Sequence, residues 1–211
     1  SQIIVKGDKL PHFDCQCPLL SLPLAFKTEL KTVPSVSQNI YSDIEKVAKW
    51  QAILGKKTKP RVGIVWSGSP THKNNHQRSL TLSKLITHLP LDYEYVSLQK
   101  EISDVDKEVL SKHFEIKHFG GDLKDFADTA ALCELTDIVI SIDTSVAHLA
   151  GTLGKTTWIL LPYSPDWRWL LDRNDSPWYT SVKLYRQEKI NDWDGVLVNI
   201  QSDLKELRNN N

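Results

Sequence analysis

Apolar positions along this chain fall into two regimes. From Lys59 onward they gather into short apolar runs, several of them β-branched, at 61–66, 93–97, 115–118, 137–142, 156–161 and 182–185. Between those runs, near 81–88, 104–113, 125–134 and 144–152, they suit helices, and a last helix is expected near 192–207. Strands alternating with helices over this length predict an α/β fold: a doubly wound, mostly parallel, Rossmann-like sheet with helices on both faces. The expected strand order is 3-2-1-4-5-6.

Residues 1–40 follow neither period. One strand is expected from Ile3 to Val5, and prolines stand at 11, 18, 23 and 34. The stretch 19–26, LLSLPLAF, is too apolar for a solvated linker, so it is expected to pack on a partner surface. Residues 43–54 return to helical spacing, with Ser42 or Asp43 as N-cap and Gly55 closing the helix. The division expected is 1–57 and 58–211, the second part being the regular domain.

The fourth apolar run ends in the polar elbow Asp143-Thr144-Ser145, where a helix begins at once. A helix N-terminus at the carboxyl end of a strand offers unpaired N–H groups and partial positive charge, which suits a phosphate. The elbow has small hydroxyl residues and leaves room for a diphosphate. Thr144 and Ser145 are the better direct contacts. Asp143 repels an anion, so it is expected to point away, capping the helix or meeting a cation. His148, one turn in, either reaches a phosphate or ribose or is a partly buried histidine with its own partners.

Ligands of an open parallel sheet bind beyond the carboxyl ends of the strands, between the first and fourth. The loop after the first strand brings Ser67, Gly68, Lys73 and Arg78 there. Gly68 permits close backbone approach, and Lys73 and Arg78 supply cations for a departing diphosphate. The alternative is an ordinary solvated loop. His72 and His76 lack further ligands for zinc. Two Asp-x-Asp pairs, at 104–106 and 192–194, lie at expected helix starts rather than in a metal site. The segment 151–157, GTLGKTT, has its glycines too close for a phosphate-binding P-loop and leads from helix to strand, so Gly154 reads as a helix terminator. In the aromatic stretch 162–173, paired tryptophans either stack on a sugar or base or anchor a loop. Anchoring is favoured, with Arg168 and Arg173 as ion-pair partners.

Composition narrows the field. Lys and Arg number 26 and so do Asp and Glu, so no basic field exists for nucleic acid. No apolar run reaches membrane-spanning length, and the start shows no signal-peptide pattern. Cys15, Cys17 and Cys133 do not make a disulfide framework, which points to reduced thiols and a cytoplasmic protein. Methionine is absent even at position 1, as expected of a segment of a longer protein.

Five blocks carry a resemblance: RVGIVWSGSPTHKNNHQRSLTL, VSLQK, GGDLKDFADTAAL, DIVISIDTSVAHLAGTLGK and LLPYSPDWRWLLDRNDSPWY. They resemble the C-terminal half of bacterial tetratricopeptide-repeat glycosyltransferases, a group similar to heptosyltransferases (family 9) and O-GlcNAc transferases (family 41). CPLLSLPLAF is similar to that group's connection between catalytic subdomains. The resemblance spans most of residues 11–186, but no run of tetratricopeptide repeats is present.

It implies a GT-B fold, with the chain as the donor-binding C-terminal lobe. Residues 1–57 would then be a remnant of the N-terminal lobe, a linker and a connecting helix. The donor would be a nucleotide-diphospho-sugar, held without metal or other cofactor. Contacts are implied at Asp143, Thr144, Ser145 and His148, at Lys73 or Arg78, and at Gln99. The acceptor, protein or glycan, is open, and the catalytic base would come from the missing N-terminal lobe. A non-catalytic nucleotide- or sugar-binding module is the alternative. A dinucleotide oxidoreductase is disfavoured, because Trp-Ser-Gly-Ser-Pro follows the first strand where Gly-x-Gly-x-x-Gly would be needed.

Overall fold

The structure, a computed structural model, describes residues 3–35, 37–113 and 115–209. Ser1, Gln2 and the Asn210 and Asn211 of the terminal asparagine run lie outside the described residues. The chain forms two compact units, 1–34 and 35–211.

In the first unit, residues 3–5 form no strand. A 3-10 turn at Leu19–Ser21 runs into the short helix α1 (Leu22–Ala25), and a second turn spans Leu30–Thr32. Glu29 and Thr32 close that turn reciprocally. None of the unit's described residues is buried, and Leu19, Leu20, Leu24 and Phe26 stand exposed.

The second unit opens with α2 (Ile44–Leu54) and β1 (Arg61–Val65). Two short helices follow, α3 (Asn75–Arg78) and α4 (Leu82–Ile86), then β2 (Glu94–Ser97), α5 (Asp104–Leu110) and β3 (Ile116–His118). The chain continues through α6 (Phe126–Glu134), β4 (Ile138–Ile142), α7 (Ser145–Thr152) and β5 (Thr157–Leu161). It ends with β6 (Val182–Arg186) and α8 (Trp193–Asn209). The six strands form one parallel sheet in the order β3-β2-β1-β4-β5-β6, as expected from the sequence.

Every residue of β1, β4 and β5 is buried, as a parallel sheet covered on both faces requires. Strand β5 shows the two faces directly. Trp158 and Leu160 pack into the main core, while Ile159 and Leu161 enter a smaller cluster with Ala147 and Trp169. The last helix supplies Trp193, Val196, Leu197, Ile200 and Leu204 to the main core, a one-sided stripe at helical spacing.

Helix α2 belongs to this unit. Asp43 caps it by accepting from the Glu45 and Lys46 N–H groups, and Gly55, at φ 73°, ends it. Its Trp50 is fully buried and donates through Nε1 to Asp128 of α6 at 3.0 Å. The segment after Pro34 is also fastened. The Asn39 N–H donates to the Thr152 carbonyl at 2.8 Å, at the far end of α7. Gly154, at φ 73°, terminates that helix, and a Cβ there would stand 2.3 Å from the Ser37 carbonyl oxygen.

The amino edge of the sheet is held by ions. Arg61 pairs with Glu94 at 3.0 Å, and Lys57 and the Arg61 N–H both reach Asp137. Burial alone would raise the Glu94 carboxyl, but the Thr58 hydroxyl and N–H and the Arg61 guanidinium together lower it to about 2. Its folded value thus lies below its ordinary 4.5, so the contribution is full above pH 4.5 and lost as pH falls from 4.5 towards 2. Acid titration of stability should show a loss in this window. Glu94→Gln should flatten it; an unchanged slope in the variant would assign the loss to other groups.

Candidate functional site

At the carboxyl edge, the loops after β1, β2 and β4 and the start of α6 enclose a cleft of about 790 Å³. Its floor is built by Gln99. The side-chain oxygen accepts from the Trp66 and Ser67 N–H groups, both at 2.8 Å. The amide nitrogen donates to the Ser67 hydroxyl at 2.7 Å and to the Glu101 carbonyl at 3.1 Å. These bonds divert Trp66 from the ladder, which is why β1 stops at Val65. Gln99 therefore shapes the cleft while its own polar atoms are engaged by the protein.

Asp106 fastens the same floor from below. It is buried and accepts from Trp66 Nε1 at 3.1 Å, the Leu82 N–H at 3.2 Å and the Ser103 hydroxyl at 2.9 Å. One carboxylate thus ties the end of β1 to the starts of α4 and α5. Of the pair at 104–106, Asp104 sits in the first turn of α5 and ion-pairs with Lys107. Among the described residues no group of three or more His, Cys, Asp or Glu side chains is placed to hold a metal.

The opposite wall is the start of α7. Thr144 is its N-cap but makes no capping bond; its hydroxyl pairs with the Ser141 hydroxyl at 3.2 Å instead. The Ala147 and His148 N–H groups bond the Thr144 carbonyl. The first-turn N–H groups of Ser145 and Val146 have no protein partner among the described residues. Both residues line the cleft. Open donors at a helix start suit an anion.

The structure brings Ser67, Gly68, Gln99, Thr144 and Ser145 together around this cleft. Arg78 lies behind Gly68, donating through Nη1 to the Asp143 carbonyl at 2.8 Å, so it joins the first loop to the elbow. Its Nε is buried without a partner. A Cβ at Gly68 would meet Arg78 Nη2 at 2.7 Å and Asn75 Oδ1 at 2.8 Å, so the close approach expected of this glycine is to its own loop.

Lys73, Asp143 and His148 are not brought to the cleft wall. Lys73 is exposed on the turn before α3. The Asp143 carboxylate does not cap α7, and it lies 3.9 Å from His148 Nε2. The His148 ring stacks on Trp169 at 4.9 Å and 16°, and its Nδ1 pairs with the Tyr179 hydroxyl at 3.0 Å. Burial lowers its pKa from 6.5, which keeps the ring neutral at pH 7. In the aromatic stretch Trp169 is fully buried while Trp167 is exposed, and Arg168 and Arg173 pair with Asp166 and Asp175.

Other residues line the cleft: Asn75 and Lys100, which lie in the loops expected to converge there but are not singled out as contacts, and Asp125, Phe126 and Thr129, which sequence reasoning passed over. Lys100 stands just past the carboxyl end of β2, where its position alone could have flagged it. Phe126 and Thr129 belong to the first turns of α6, and no local pattern marks them as facing a ligand.

No family model matches the chain. Over 185 residues it is 28% identical to Protein FlbA of Caulobacter vibrioides, covering 82% of this chain and 30% of FlbA. The E. coli ADP-heptose LPS heptosyltransferase II superposes with a TM-score of 0.56 at 14% identity, over 82% of this chain and 54% of that one. A glycosyl transferase of family 9 from Veillonella parvula gives 0.52 at 14%, over 82% and 53%. The chain thus shares its α/β fold with glycosyltransferases. It spans under a third of the length of FlbA and about half of each of these two structures.

Proposed function

We propose that this chain is the donor-binding lobe of a glycosyltransferase, taking a nucleotide-diphospho-sugar into the cleft between β1, β2 and α7. The observation that carries this reading is the pair of open N–H groups at Ser145 and Val146, facing a cavity roomy enough for a nucleotide. The diphosphate rests on that helix start. The hydroxyls of Thr144, Ser145 and Ser67 add hydrogen bonds, and Lys100 supplies positive charge from the cleft wall. Arg78, through the Asp143 carbonyl, positions the elbow. As the sugar leaves, negative charge on the diphosphate is met by these fixed groups, without a metal or other cofactor.

The acceptor and the base that activates it are assigned to a second lobe of a longer, two-lobed GT-B protein. Of the cleft's three carboxylates, Glu101, Asp106 and Asp125, the two aspartates are engaged by the protein, which supports this. Asp106 is committed to three donors, and Asp125 caps α6 and pairs with Lys46 at 2.6 Å. Membership of the bacterial tetratricopeptide-repeat group, and a cytoplasmic location, belong to the same proposal. No described helix is long and apolar enough to cross a membrane.

Calorimetric titration with UDP, GDP and ADP, with and without Mg²⁺, tests the reading. Binding of at least one nucleotide with Mg²⁺ absent is expected. Thr144→Val or Ser145→Val should weaken it about fivefold, one hydrogen bond's worth. Stability should hold in Thr144→Val, because that hydroxyl caps nothing. Full affinity in both variants, or a preference for NAD, would place the ligand elsewhere.

A further inference from the structure

A second cleft, of about 930 Å³, opens at the same edge of the sheet, where the chain leaves β5 and β6. Its wall is the aromatic loop 162–172. Trp167 is 63% exposed and Tyr163 55% exposed, although neighbouring Trp169 is fully buried. One side of the Trp167 ring carries the Arg168 guanidinium at 4.9 Å. Exposed aromatic surface on a cavity is a stacking platform rather than core.

The polar groups are equally specific. Gln187, at 5% exposure, lines this cleft. Its oxygen accepts from the Tyr163 and Asn191 N–H groups, both at 3.1 Å, which fixes the amide's orientation. Its Nε2 is buried with no partner. A buried donor without a protein partner, on a residue that lines a cavity, is open to an acceptor from a ligand. Asp166, Asp172 and Arg186 complete the lining.

The loop is held in a costly shape. Leu170 sits at φ 53°, ψ −170°, a region suited to glycine, and Asp172 has φ 54°. Arg186 straps the loop by donating to the Trp169 and Arg173 carbonyls. Backbone strain over-determined in this way gathers at ligand sites.

We propose that this cleft binds a pyranose ring, as the sugar of a carbohydrate acceptor. Stacking on Trp167 and Tyr163 would hold the apolar face of the ring, the Asp166 and Asp172 carboxylates would accept from its hydroxyls, and Gln187 Nε2 would donate to one. The Asp166 carboxylate is paired with Arg168 and the Asp172 carboxylate acts on Arg186, so the cleft carries no surplus of positive charge for a phosphate, which separates it from the cleft at α7. The word acceptor rests on the function proposed above; the sugar site itself does not.

The test is saturation-transfer NMR on the full chain with the methyl glycosides of glucose, galactose, mannose and N-acetylglucosamine. At least one should bind. Trp167→Ala, a change at an exposed residue, should weaken it at least tenfold, and Gln187→Glu, which keeps an oxygen to accept from the Tyr163 and Asn191 N–H groups but removes the donor, at least threefold. ADP or UDP affinity should stay within twofold in both variants. Saturating nucleotide should leave glycoside binding intact. No binding by any of the four, binding indifferent to Trp167→Ala, or competition with nucleotide would overturn the proposal. Glycoside binding without nucleotide binding would support the sugar site and sink only the donor reading.

Discussion

Trp50→Ala is expected to lower the unfolding free energy by about 4 kcal/mol, the usual cost of truncating a fully buried large aromatic side chain. The indole fills the space between α2 and α6, with Phe119 edge-on at 5.4 Å. Its loss also removes one donor from Asp128, which stays buried facing Lys46 and Lys49. Burial would raise that carboxyl, yet the Trp50 and Lys46 bonds and the Lys124 N–H hold it well below the usual carboxylate range. Chemical denaturation followed by far-UV circular dichroism measures the change. A loss under about 1 kcal/mol would mean that α2 is an appendage rather than part of the folded unit.

Asp106→Leu is expected to act on stability and binding together. Two donors, Trp66 Nε1 and the Leu82 N–H, lose their acceptor in a buried place, each at about 1–3 kcal/mol, and the exposed Ser103 hydroxyl loses a third bond that water can replace. The floor of the cleft proposed to take the nucleotide hangs on two of them, so nucleotide affinity should fall at least tenfold under conditions where the variant is still folded. Asp106→Asn keeps one accepting oxygen and should fall between wild type and leucine on both scales. A leucine variant that folds with wild-type stability and binds nucleotide normally would show that the carboxylate does not hold the site.

Much of this architecture is written in local pattern. The six apolar runs became six strands within a residue or two, because parallel strands buried on both faces need continuous apolar runs. Asp43 and Gly55 marked the ends of α2 and Gly154 the end of α7, because capping and left-handed backbone are local demands. Long-range pairing is where the pattern fails. Gln99 looks like a free polar group after a strand; only the fold shows its amide engaged by Trp66, Ser67 and Glu101. For His148 local pattern leaves two readings, a ligand-facing residue or a partly buried histidine with its own partners, and only the fold supplies Trp169 and Tyr179, far along the chain, as those partners. Short α3 lies in a polar loop with no apolar periodicity to announce it. The expected strand at Ile3 to Val5 finds no neighbour to pair with, and the apolar stretch around Leu20 stays uncovered in its own unit.

The polarity of the sheet divides the molecule's labour. At the amino edge, Lys57, Arg61, Glu94 and Asp137 lock the ends of β1, β2 and β4 together and touch neither cleft. At the carboxyl edge, loop residues line both clefts. Substitutions that retune which molecule is recognised can therefore accumulate at one rim while the other keeps the scaffold intact, so specificity here is free to drift without an accompanying loss of foldedness.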